Sequence, residues 1–234
     1  MEDDQRARLA GQRHGTVRAR PGRGVQRLDA QALTLAHEAL AQRPAMATRL
    51  HPQAAVVERR VFERFSRGPE LAALAADLGL AEPLLWQSML IFKQPAIGGE
   101  VRWHQDATFF VTEPVSVTTF WFALEDAALD NGCLWVEPGG HRGPLRERFV
   151  HADGRLQMQP LASTPWPRME QAVPLPVQAG TLVVLHGLLP HYSAPNRSGV
   201  SRLAYSLHVT DGRARYSELN WLQRDAAMPI RGFD

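Results

Sequence analysis

From residue 84 onward the apolar positions of this chain fall in short runs, aromatic or β-branched, broken by glycine or proline: LLWQSMLIFKQP, VSVTTFWFALED, GCLWVEPGG, AVPLPVQAG, TLVVLHG and SRLAYSLHV. Runs of this length with turn residues between them predict the strands of a β-sandwich or barrel. Upstream the period changes. DAQALTLAHEALAQR, from Asp29, offers a helix N-cap followed by strong helix formers, with Leu33, Ala36 and Leu40 at helical spacing. A second helix is predicted over about 54–66. A third lies in GPELAALAADLGL, where proline stands at an early helical position and Gly79 at the C-terminal cap. These helices are expected to pack on the outside of a sheet. Residues 142–170 fit neither period and read as a long loop, the kind that lines a site.

Composition narrows the class. The chain has 234 residues, enough for one substantial core, with 44% hydrophobic and 21% charged residues, ordinary values for a globular protein. Residues 1–28 are rich in arginine and glycine with little apolar period and read as a disordered basic tail, residues 29–83 as helical support, and 84–234 as the β core of a single domain. No apolar run approaches the roughly 20 residues of a membrane helix, MEDDQRARLAGQ lacks the apolar core of a secretory signal, and Cys133 is the only cysteine. A cytoplasmic protein without a membrane partner is expected. Eight arginines fall within the first 43 residues, yet no aromatic residue precedes Phe62, so the stacking platforms used on single strands are absent there and no nucleic-acid partner is expected.

The chemistry begins in EVRWHQDATFF, residues 100–110. In a strand, residues i and i+2 share a face, so His104 and Asp106 point together, either at a metal or at each other as an ordinary hydrogen-bonded pair. His191 and Ser193 are again two apart, at the start of a strand that follows one ending near His186. The run from Arg202 sorts into Leu203, Tyr205, Leu207 and Val209 on one face and Arg202, Ala204, Ser206 and His208 on the other. That second face is small and polar with one arginine, and arginine is almost never buried without a partner. Its planar fork matches a carboxylate, so Arg202 beside Ser193 suits the distal carboxylate of a dicarboxylic acid; an internal ion pair or an exposed edge is the alternative. Two histidines and an aspartate with open coordination positions form the facial triad of non-haem Fe(II) oxygenases, which leaves room for a bidentate 2-oxoacid and O2. Zinc accepts the same ligands but does not explain the arginine. His141 reads as a loop or rim residue, His186 as a strand end, His208 as an interior histidine and Cys133 as a buried structural thiol.

QSMLIFKQPAIGGEVRWHQDATFF, WFALEDAALDNGCLWVEPGGHRGP and HGLLPHYSAPNRSGVSRLAYSLHV, in that order, resemble the phytanoyl-CoA dioxygenase family, and more closely its small domain-only members than the acyl-CoA enzyme. The likeness runs from about Leu71 to Asp234. It implies a mainly β double-stranded β-helix, a jelly-roll of cupin type, with flanking N-terminal helices, using Fe(II), 2-oxoglutarate and O2. By this resemblance His104, Asp106 and His191 match the iron ligands, and Arg202 with Ser193 match the anchor for the distal carboxylate of 2-oxoglutarate. Met89 and Trp121 match positions that line the cosubstrate pocket, with barrel core as the other reading of each. Arg59 stands where the family has an upstream basic residue that contacts the cosubstrate. Related halogenases replace the carboxylate with a small residue; Asp106 is kept here, which favours hydroxylation, or another outcome of hydrogen abstraction, with release of succinate and CO2.

The chain departs from the family at its start, where an arginine-rich stretch stands in place of the usual opening strand and helix. Either the divergence is genuine or the start was assigned elsewhere than in the natural gene, and a lost edge strand would expose unpaired backbone groups. The alternative this leaves is a cupin-like protein that binds metal without turnover. A zinc hydrolase on the same triad would act without O2 or 2-oxoglutarate. The partner expected is a small-molecule substrate, shaped by loops 107–114 and 142–170.

Overall fold

The computed structural model describes residues 62–233. The helix expected from Asp29, the basic tail, most of the second helix and Arg59 lie outside the described residues; the end of that second helix is helical over 62–66. The third is α1 (Pro69–Asp77), which ends before Gly79 at φ 85°, a left-handed position where glycine carries no Cβ penalty. Then come β1 (Pro83–Lys93), β2 (Val101–His104), β3 (Thr112–Glu113), β4 (Thr118–Ala123), β5 (Leu134–Val136) and β6 (Glu147–Ala152). They are followed by β7 (Arg155–Pro160), β8 (Val173–Leu175), β9 (Leu182–His186), β10 (His191–Ser193), β11 (Arg202–Asp211) and β12 (Arg215–Tyr216).

Two four-stranded antiparallel sheets carry the site, in the orders β1-β11-β4-β9 and β2-β10-β5-β8. This is the expected mainly β jelly-roll with a helix on its outside. The alternation of β11 explains the layering. Leu203, Tyr205, Leu207 and Val209 pack with Phe120 and Phe122 of β4 against Leu71 and Ala75 of α1. Ala204 on the opposite face packs with Trp121 and Ala123 against Cys133, Leu134 and Val136 beneath the second sheet. Every residue of β11 is therefore buried, as befits a strand between two neighbours with a layer on each side. A third apolar cluster, Trp86, Ala107, Phe110 and Val117, wraps the segment that follows β2. No helix among the described residues is long and apolar enough to cross a membrane.

The expected long loop over 142–170 is corrected in part. Residues 147–160 form a hairpin, β6 paired with β7, turned by Asp153 (φ 52°) and Gly154 (φ 73°). An Asp-Gly pair with both φ positive gives the turn whose twist matches two strands. The apolar pattern is weak because the hairpin forms a two-stranded sheet of its own, bridged elsewhere among the described residues only from Val150 to Asn220: Val150 is buried, while Leu156 and Met158 stay exposed.

Candidate metal centre

His104 closes β2 and His191 opens β10, and the two are direct cross-strand partners with ring centroids 4.0 Å apart. Asp106 does not lie in a strand, as the alternation argument assumed. It opens a short 3₁₀ turn, Asp106–Thr108, after Gln105, whose extended backbone (φ −119°, ψ 135°) carries the alternation one residue further. The face-sharing of His104 and Asp106 survives for that reason. Gln105 points the other way and is fully buried; its amide donates to the carbonyls of Pro144 and Leu188 and its oxygen accepts from the Arg146 N–H. Ala107 N–H bonds to the Gly187 carbonyl, which ties the turn to the β9–β10 connection.

The ligand atoms of His104, Asp106 and His191 lie within 4.8 Å of one another, the one such group among the described residues. Asp106 Oδ1 is 3.8 Å from Nε2 of each of these histidines. The Nδ1 atom of His104 is 2.7 Å from the Arg102 carbonyl, and that of His191 is 3.0 Å from the Leu189 carbonyl. A carbonyl can only accept, so each Nδ1 carries a proton, which leaves Nε2, on the side of the shared space, as the nitrogen that would bind a metal. Burial, aided by His191, pulls the His104 pKa down to about 4 against the attraction of Asp106, so the ring is neutral at pH 7. For Asp106, burial opposes the charge, but His191, His208 and His104 outweigh it and hold the carboxyl well below the usual range. Neutral imidazoles and an ionised carboxylate are the states metal binding requires.

Two residues hold Asp106: Thr119, which sequence reasoning missed, and His208, expected as an interior histidine without an assigned partner. Thr119 Oγ1 donates to Asp106 Oδ2 at 2.6 Å, and His208 Nε2 is 3.5 Å from Oδ1 with its ring stacked on Phe110. The register of β4 and β11 places Thr119 opposite His208 on the inner face, and that pairing is invisible in either segment alone.

Arg202, also on that face, is buried. Its Nη2 donates to Ser193 Oγ at 3.1 Å, and Ser193 Oγ donates to the Gly132 carbonyl at 2.8 Å. Arg202 Nε and Nη1 are buried with no protein partner. Burial lowers its pKa to about 10, which leaves it charged at neutral pH. Two orphaned donors on a buried planar cation are costly unless an acceptor meets them. Trp121 is buried in the inter-sheet core, and its ring centroid lies 5.6 Å from this guanidinium. Met89 pairs with Ser206 on the same inner side and remains 38% exposed, facing open space rather than packed core. His141 and His186 face each other at 5.6 Å, outside the ligand group, and Cys133 is fully buried.

Comparison with known proteins follows this geometry. Among solved structures, the epimerase SnoN in complex with Fe3+, α-ketoglutarate and nogalamycin RO matches at a TM-score of 0.61 and 21% identity, covering 87% of this chain and 90% of that one. EvdO2 from Micromonospora carbonacea var. aurantiaca, complexed with 2-oxoglutarate, matches at 0.58 and 22%, covering 82% and 87%. Both share the fold. Phytanoyl-CoA dioxygenase 1 of Oryza sativa subsp. japonica is 47% identical over 165 residues, 70% of this chain and 58% of the relative. Phytanoyl-CoA dioxygenase domain-containing protein 1 of Mus musculus is 44% identical over 174 residues, 73% of this chain and 60% of the relative. The chain thus spans less than two thirds of the length of these relatives. The phytanoyl-CoA dioxygenase (PhyH) family model matches residues 7–204, and the chain belongs to that family.

Proposed function

We propose that this protein is a non-haem Fe(II)/2-oxoglutarate-dependent dioxygenase that hydroxylates a C–H bond of a small molecule, releasing succinate and CO2. The observation that carries the reading is the pairing of a His-Asp-His group with a buried arginine whose Nε and Nη1 have no protein partner. A structural ion pair would have filled those donors. A zinc hydrolase has no use for them.

The residues present fit both groups. His104 Nε2, Asp106 Oδ1 and His191 Nε2 would hold iron, and Arg202 with Ser193 would take the distal carboxylate of 2-oxoglutarate. Bound there, iron and 2-oxoglutarate supply the oxidising chemistry: one atom of O2 goes to the substrate C–H and the other to succinate as CO2 leaves. The protein's part is to orient and exclude water. Thr119 and His208 fix the rotation of the Asp106 carboxylate. Trp121 covers Arg202 with an apolar surface, which strengthens a carboxylate's attraction to it. Asp106 and His191 side chains are almost fully covered whereas His104 retains 19% exposure, so a C–H substrate approaches from the His104 side, past Phe109, whose ring meets His104 edge-on at 6.2 Å.

The test is anaerobic titration of the Fe(II)-loaded protein with 2-oxoglutarate, reading the weak visible charge-transfer band, on wild type and Arg202→Ala. The band is expected in wild type. The variant loses at least one charge-assisted hydrogen bond worth roughly 1.5–3 kcal/mol, so at least about 10- to 100-fold more 2-oxoglutarate should be needed. Iron binding with no band in wild type overturns the oxygenase reading and leaves a metal-binding cupin-like protein. A band followed by succinate release on admitting O2 opens the way to substrate screening.

A further inference from the structure

We propose that Lys93 is a positioning residue for the distal carboxylate of the cosubstrate, acting through Ser193 and through its own buried charge. The inference rests on the oxygenase reading above. Lys93 is the only lysine in the chain, and it is 1% exposed. Lysine is almost never buried to that degree unless paired, and its side chain loses much rotamer freedom on burial. It lies at the end of β1 in register with Arg202, on the inner face.

Its ammonium meets three backbone carbonyls, those of Gly99, Ser193 (3.3 Å) and Ala194 (2.6 Å), a number equal to its three N–H donors. The surroundings are cut to its shape. A Cβ on Gly132, which sits at φ 91°, would lie 2.8 Å from Lys93 Cδ, and a Cβ on Gly98 would lie 2.7 Å from Lys93 Cα. Asn196 Nδ2 donates to the Lys93 carbonyl, and Asn196 N–H donates to the Gly98 carbonyl, which closes the loop around the side chain. Gly132, the residue that makes room for Lys93, also accepts the hydrogen bond that orients Ser193 Oγ toward Arg202. Lys93 therefore ties β1 to β10, two residues from the ligand His191, and fixes the hydroxyl that holds the arginine.

The charges add a second argument. Among the described residues neither Lys93 nor Arg202 has a carboxylate within ion-pair distance. Burial first, and Arg202 second, pull the Lys93 pKa down to about 8, against the attraction of Glu100. Two adjacent buried cations repel each other until an anion arrives. A ligand carboxylate on Arg202 relieves both, so Lys93 favours a cosubstrate with a distal charge over one without.

Because the chain has one lysine, full-length protein grown with [ε-13C]lysine and loaded with Zn(II) gives a single lysine signal. That signal is expected to move when 2-oxoglutarate is added and to stay in place with oxalate, which chelates metal but has no distal carboxylate. Calorimetry on the Mn(II)-loaded Lys93→Met variant is expected to show 2-oxoglutarate bound about tenfold more weakly, with oxalate and Mn(II) affinities within about twofold of wild type. Equal response of the signal to both ligands overturns the proposal, as does a folded variant in which the affinities for 2-oxoglutarate and oxalate fall equally. The wild-type signal decides the matter even where the variant does not fold. Arg202→Ala is run beside it: 2-oxoglutarate affinity unchanged in that variant removes the oxygenase reading itself, whereas loss there with none in Lys93→Met removes only this inference.

Discussion

Asp106 shows how much a single site residue depends on neighbours far away in the chain. Its Oδ2 is engaged by Thr119 at 2.6 Å, which turns Oδ1 toward the Nε2 atoms of His104 and His191. Outer groups of this kind commonly govern metal affinity by about 10- to 100-fold. Thr119→Val, close in shape but without the hydroxyl, is expected to weaken Fe(II) binding by that amount, and Thr119→Ser to restore most of it. Competitive metal titration checks this; an unchanged affinity in the valine variant would show that the histidines alone set the carboxylate's orientation. The candidate ligands were legible because their spacing within one segment decides which face they share: His104 with Asp106, His191 with Ser193, and Arg202 on the polar face of its run. Thr119, Lys93 and the pairing of His208 with Asp106 were not. Thr119 is one of two adjacent threonines in an aromatic strand, and its meaning comes from the pairing of β4 with β11, which the chain does not spell out. The single lysine is visible in the sequence, yet nothing local says that three carbonyls will surround it.

Among the elements, the β9–β10 connection governs the site through a close approach of backbones. Gly187 N–H bonds to the Val117 carbonyl while the Gly187 carbonyl accepts from Ala107, inside the turn that carries Asp106. A Cβ there would stand 2.2 Å from Val117 Cγ1 and 2.6 Å from the Val117 carbonyl oxygen. One of these is backbone, so a side-chain rotation cannot clear both. Gly187→Ala should cost about 1–3 kcal/mol in urea unfolding, with an unaltered m-value, and should weaken metal binding as the Asp106 turn shifts. A variant as stable as wild type would show that the connection yields without moving the turn. Elements with a strong buried face were readable: α1 and the strands of the first sheet each carry a full apolar set. The β6–β7 hairpin hid because only Val150 packs deeply, so its alternation is thin; the Asp153-Gly154 pair is the local signal the sequence carries for it.

At the scale of the molecule, the two sheets divide the proposed ligands between them. His104 and His191 belong to the sheet of β2, β10, β5 and β8, whereas Arg202 and Thr119 belong to that of β1, β11, β4 and β9. A metal alone gathers the edge of the sheet that carries His104 and His191, together with the Asp106 turn. A cosubstrate reaching from the metal to Arg202 joins one sheet to the other across the core. Anything that binds the native state and not the unfolded chain stabilises by mass action, about 2.7 kcal/mol at a hundred times its Kd. For a chain of this size that corresponds to a rise of about 5–10 °C in Tm. Zn(II) or Mn(II) should therefore raise Tm by itself, 2-oxoglutarate should add a second increment only when metal is present, and Arg202→Ala should keep the first increment while losing most of the second. Scanning calorimetry on the apo, metal-loaded and doubly loaded protein measures all three. If 2-oxoglutarate raised Tm equally without metal, Arg202 and Ser193 would be an anion site independent of the histidines, and the two halves of the proposed centre would not form one site.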